Sequence, residues 1–166
     1  MNHTNRKTAG RNGKRPAGRR VLYLALTLGL GGAGVAALAP DPVEASQVTI
    51  YKSPTCGCCT KWVSYLERQG FETEVVSTTD LASVHAENGV PHALGSCHTA
   101  VVEGYVLEGH VPAAEIERLL RERPAVVGLA VPGMRAGSPG MEGPVRQRYD
   151  VLAFQKDGAY VVFAHR

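Results

Sequence analysis

Three of the four cysteines in this chain fall within four consecutive positions of SPTCGCCTKW (residues 53–62): Cys56, Cys58 and Cys59. The fourth, Cys97, stands far from them in the chain. Cys56 and Cys59 form a C-x-x-C between a stretch that reads as a strand and one that reads as a helix. At such a junction the unpaired N–H groups and the helix dipole favour thiolate over thiol. A thiolate is both a nucleophile and a soft metal ligand, so three chemistries are open. One is thiol–disulfide exchange, with Cys56 as nucleophile and Cys59 as resolver, the usual reading of a C-x-x-C in this setting. The second is a metal site. The third is a pair of structural disulfides, Cys56–Cys59 and Cys58–Cys97, but bridges closing loops this small stabilise little.

Cys58 complicates simple exchange, because a thiol beside Cys59 competes for any mixed disulfide. If Cys97 faces the triplet, four thiolates converge and call for a soft cation: Cu(I), Zn(II) or an iron–sulfur centre. Tetrahedral zinc needs four separately aimed sulfurs, and the neighbours Cys58 and Cys59 aim awkwardly for one ion. The spacing resembles no ferredoxin pattern. Cu(I) accepts few ligands and its thiolates bridge, so four cysteines can hold several ions. Copper therefore ranks first among the metals.

The elements that must position these sulfurs follow from periodicity. QVTIYKS (47–53) alternates as a strand, and Ser53-Pro54-Thr55 supplies a turn and helix-capping residues. A helix from about Cys56 to Gln69 places Trp62, Val63, Tyr65 and Leu66 at helical spacing and stops at Gly70. FETEVVST (71–78) reads as a second strand, and Asp80 caps a short helix ending at Asn88-Gly89. A loop through Gly95 leads to a hairpin, about Thr99–Glu103 and Tyr105–Glu108, turning near Gly104. Pro112 opens a helix to about Arg123, closed by Pro124. The order β-α-β-α-β-β-α predicts an α/β, thioredoxin-like single domain. Its C-terminal extension is a Gly/Pro-rich loop (131–144) and a β-hairpin turning at Lys156-Asp157-Gly158. SCHTA occupies the turn where thioredoxin-like redox proteins carry a cis-proline, which sets Cys97 against the triplet.

Residues 1–45 read as a signal peptide and 46–166 as the domain. Residues 6–20 carry seven Lys or Arg and no acid; Val21–Ala39 is a 19-residue uncharged run; V-E-A places small residues at −3 and −1 of a cleavage after Ala45. Without cleavage the same run is a membrane anchor. Arg19-Arg20 before the apolar run fits a twin-arginine signal. Removing this leader takes 7 of 18 basic and 2 of 15 acidic residues, leaving 11 against 13, a net of −2. The basicity belongs to the leader, so nucleic-acid binding has no electrostatic support. The exported part, about 120 residues, is enough for one core.

YKSPTCGCCTKW, SCHTA, EGYVLEGHVPA and GLAVPGM…GSPGMEG together resemble the periplasmic copper-resistance CopG-type metal-binding family, a thioredoxin-like group with a CxCC motif. The likeness covers about residues 47–163. It implies a cysteine-bridged cluster of several copper ions, Cu(I), with Cys56, Cys58, Cys59 and Cys97 as ligands. It also implies a periplasmic role in copper resistance, by sequestration and by a change of copper oxidation state. Arg135 stands where the family pattern expects proline after the methionine. The implied partners are copper ions and other periplasmic copper-handling proteins; the membrane enters only through an uncleaved leader.

Other residues have two readings each. Met134 and Met141 are soft donors or loop packing. His98 is a copper ligand, a support to one, or a turn residue bonded to backbone. His110 is expected at the surface or in a capping role, and His85, His92 and His165 as structural or solvated. Trp62 is expected in the core. Glu115, Glu117 and Glu122 with Arg118, Arg121 and Arg123 are expected to form a solvated helix face.

Overall fold

The computed structural model describes residues 46–166; the expected leader, 1–45, lies outside the described residues. β1 (Gln47–Lys52) buries Val48 and Ile50 completely on one face, the alternation that a half-covered strand requires. It leads into α1 (Gly57–Arg68), then β2 (Glu72–Ser77), which pairs parallel to β1. α2 (Leu81–Glu87) starts at Asp80, whose carboxylate accepts the Ser83 N–H at 3.0 Å. A single 3₁₀ turn, His92–Leu94, precedes the hairpin of β3 (His98–Val102) and β4 (Tyr105–Gly109). α3 (Ala113–Glu122), β5 (Gly128–Val131), β6 (Asp150–Phe154) and β7 (Tyr160–His165) complete the chain.

All seven strands form one mixed sheet in the order β2-β1-β3-β4-β5-β6-β7. β1 runs antiparallel to β3, and β4 parallel to β5. Trp62, Val63 and Leu66 of α1 and Ile116 and Leu119 of α3 share one apolar core with Val48, Ile50, Ala100, Leu107 and Leu129. Each buried Val, Leu or Ile among them contributes about 1.5–3 kcal/mol by leaving water. Val90, Leu94, Val106, Ala130 and Phe154 form a second, smaller core. The architecture is a mixed α/β single domain.

Several expectations are corrected by these packing facts. β5 falls in a stretch for which the sequence predicts no element, and it ends on Val131, the first residue of the expected Gly/Pro-rich loop. All four of its residues are buried, so it carries no alternation to reveal a strand, and β4 and β6 flank it. The cap of α1 is Cys56 itself, whose Sγ accepts the Cys59 N–H at 3.3 Å, not a residue of Ser53-Pro54-Thr55. Glu115 is not on a solvated face: it is 2% exposed and paired with Arg166 beyond the end of β7. Arg118 lies with its guanidinium carbon 4.2 Å from the Phe163 ring centroid and donates to the Phe163 carbonyl at 3.1 Å. The C-terminal hairpin is thereby fastened to α3.

One buried carboxyl organises the approach to Cys97. Glu108, fully buried on β4, accepts the Ser96 N–H at 2.6 Å and the Thr99 hydroxyl at 2.8 Å. It thus grips the chain on both sides of Cys97 and His98. Burial raises its carboxyl from the ordinary 4.5 to about 7, against the opposing pull of the Ser96 and Thr99 hydrogen bonds. The folded chain holds this proton between those two pH values while the unfolded chain releases it. The stability it contributes is therefore full below pH 4.5 and is lost as pH rises through about 7. Glu108→Gln keeps an acceptor for Ser96 and removes the titration. In denaturant unfolding across this window, wild type should lose about 3 kcal/mol relative to the variant; parallel pH profiles would refute the assignment.

Candidate metal centre

Cys56 sits at the amino end of α1 with extended backbone (φ −78°, ψ 99°), and Cys58 and Cys59 lie in the first turn. Their sulfurs therefore stand where the helix presents its free N–H groups. Cys97 arrives from the other side. The Ser53 N–H donates to the Cys97 carbonyl at 3.2 Å, extending the β1–β3 pairing one step past Lys52↔His98. That step brings a residue distant in sequence against the helix end.

The four sulfurs meet: one donor atom from each of Cys56, Cys58, Cys59 and Cys97 lies within 4.8 Å of the others. Cys56 and Cys59 are joined as a disulfide in this structure, and Cys58 and Cys97 are free thiols. The second bridge of the all-disulfide alternative, Cys58–Cys97, is therefore not formed. Cys97 Sγ lies 3.1 Å from each bonded sulfur, and Cys58 Sγ 3.4 Å from Cys56 Sγ. Cys59 is fully buried, whereas the other three are partly accessible. The Cys97 thiol is pushed up by burial first and by neighbouring Cys58 second. A cation would offset both costs, since its charge favours thiolate over thiol.

The loop after β5 closes over this centre. Cys58 donates to Met134 Sδ at 3.3 Å, bringing a thioether to the rim. Met141 instead holds the loop through its backbone, donating to Ser138 and accepting from Gly137. Gly140 has φ +82°, and a Cβ there would stand 2.9 Å from both the Cys58 carbonyl oxygen and the Trp62 nitrogen. Only glycine lets the loop lie this close to the cysteine-bearing turn. Arg135, where the family pattern expects proline, donates from Nε to the Pro132 carbonyl at 3.2 Å.

Beneath the sulfurs lies a layer of buried rings. Trp62 is fully buried and donates to the Val111 carbonyl at 2.9 Å, as a core residue, yet its ring also lies 4.6 Å from that of His98. His98 is fully buried and its Nε2 is 3.0 Å from the Gly109 carbonyl. A carbonyl only accepts, so Nε2 carries the proton and Nδ1 has a free lone pair. Burial, and then the positive charge that His110 would carry beside it, lower His98 to about 3, so its ring is neutral. His110 corrects the surface expectation: it is 2% exposed and stacks 5.4 Å from His98. The signal for it was the hairpin. A turn at Glu103-Gly104 with Thr99 opposite Glu108 sets the residues flanking β3 and β4 side by side.

Comparison with known proteins agrees with this picture. The family model described as "Protein of unknown function, DUF411" matches residues 94–141, from the 3₁₀ turn into the loop bearing Met134. No curated protein matches. Two solved structures named "Copper resistance protein copG", forms 2 and 1, are each 43% identical over 74% of this chain, with TM-score 0.70. The match takes in 99% and 98% of those chains. At that identity and coverage, the chain belongs to the CopG-type copper-resistance family.

Proposed function

We propose that this chain is an exported, periplasmic copper-binding protein that holds Cu(I) in a thiolate cluster on Cys56, Cys58, Cys59 and Cys97. The reading rests on one observation, the convergence of four sulfurs from α1 and the start of β3. Four soft donors at this spacing suit Cu(I), which thiolates bridge, so several ions per chain are held together. Holding copper in this form contributes to copper resistance by sequestration. Conversion between oxidation states is a further step, which an all-sulfur site opposes by favouring Cu(I). The β1-α1-β2-α2-β3-β4-α3 order supports a thioredoxin-like core, with β5 and the β6–β7 hairpin as its extension. Residues 1–45 act as the signal peptide in this reading, and the twin-arginine pair offers an export route.

A second reading, thiol–disulfide exchange, draws on the Cys56–Cys59 disulfide at the helix end. The free Cys97 thiol 3.1 Å from both bonded sulfurs counts against it as a simple two-thiol device, since it can attack either one.

Anaerobic Cu(I) titration of the reduced chain, with metal analysis and thiol counting on one sample, separates the two. The metal reading expects more than about one copper per chain with all four thiols protected. Cys58→Ser and Cys97→Ser should each lower that stoichiometry. No retained copper, with reductase activity surviving both substitutions, would leave the oxidoreductase. Met134→Leu removes a soft donor while keeping the loop's apolar packing. Copper should then pass to a competing chelator about tenfold more readily, the effect of ~1.4 kcal/mol; an unchanged transfer would assign Met134 to packing alone.

A further inference from the structure

Below the sulfur rim, Cys59, His98 and His110 form a second set of donors, one atom from each lying within 4.8 Å of the other two. All three are buried, His98 and Cys59 completely. His98 Nδ1 and both ring nitrogens of His110 have no hydrogen-bond partner, although water cannot reach them. The Pro139 backbone approaches His110 without closing a hydrogen bond to it. Leaving a buried polar atom unpaired costs about 1–3 kcal/mol, so three such nitrogens in one place need a partner. A metal ion supplies one. His98 is already arranged as ligands are, its Nε2–H held by a backbone carbonyl so that Nδ1 points its lone pair elsewhere.

We propose that Cys59 Sγ, His98 Nδ1 and one ring nitrogen of His110 hold an inner copper ion, sharing the Cys59 sulfur with the cluster above. This inference rests on the thiolate reading, because Cys59 must be reduced to serve both. One sulfur and two imidazoles form a donor set that, unlike the all-sulfur rim, suits copper in either oxidation state. The inner ion therefore differs from those above it in its neighbours and in its spectrum.

Copper K-edge absorption on the reduced, Cu(I)-loaded chain tests this without a variant. The expected result is imidazole scattering superposed on a dominant sulfur shell. His110→Phe removes both ring nitrogens and leaves an aromatic ring against His98. It should cost about one copper per chain and the imidazole signal, while all four thiols stay protected. Circular dichroism establishes that the variant folds; should it not, the wild-type spectrum still decides. A sulfur-only shell in wild type, or unchanged copper and spectrum in a folded His110→Phe, would overturn the inner position and assign those nitrogens to buried water. Either result would leave the thiolate cluster intact. Absence of copper from wild type altogether would overturn the cluster as well.

Discussion

The hydrogen bond from the Ser53 N–H to the Cys97 carbonyl sets the geometry of the whole centre. It carries the β1–β3 register one step beyond the sheet, so that backbone pairing brings Cys97 to the amino end of α1. Glu108 holds the same segment from beneath, through Ser96 and Thr99. The sheet register therefore fixes where the Cys97 backbone stands against the helix end. Within that frame, side-chain rotation at each cysteine sets the sulfur spacing.

Two electrostatic effects compete at that point. The free N–H groups of α1 stabilise negative sulfur at Cys56 and its neighbours. Burial of Cys59 and Cys97, and the crowding of Cys58 against Cys97, oppose it. A helix end contributes about 0.3–1 kcal/mol in exposed settings, too little to sustain several thiolates in partial burial. The centre is balanced when positive charge sits among the sulfurs, when sulfur charge is removed by forming a disulfide, or when a thiol keeps its proton, as the upward push on Cys97 favours. The Cys56–Cys59 bond is the second of these solutions.

Much of this was legible in the chain itself. Alternation in 47–52, helical spacing through Trp62 and Leu66, and the Asp80 cap mark elements that the structure places within a residue or two. The meeting of Cys97 with the triplet follows from element order and the turn before β3. What escaped was decided by tertiary burial. β5 is buried throughout and four residues long, so it lacks a period. Glu115 looks like a surface acid until Arg166 covers it, and His110 looks like a helix-end residue until the hairpin folds it under His98. The Cys56 cap was hidden because a sulfur does there what an oxygen usually does.

Cys59 belongs to both groups of donors and is also half of the disulfide. Its sulfur cannot be a bridge to Cys56 and a ligand at the same moment. Closing that single bond takes two donors from the rim, Cys56 and Cys59, and one from the buried layer, so the two donor sets do not change independently. The rim and the histidine layer are thus joined through one shared sulfur, the most deeply buried of the four.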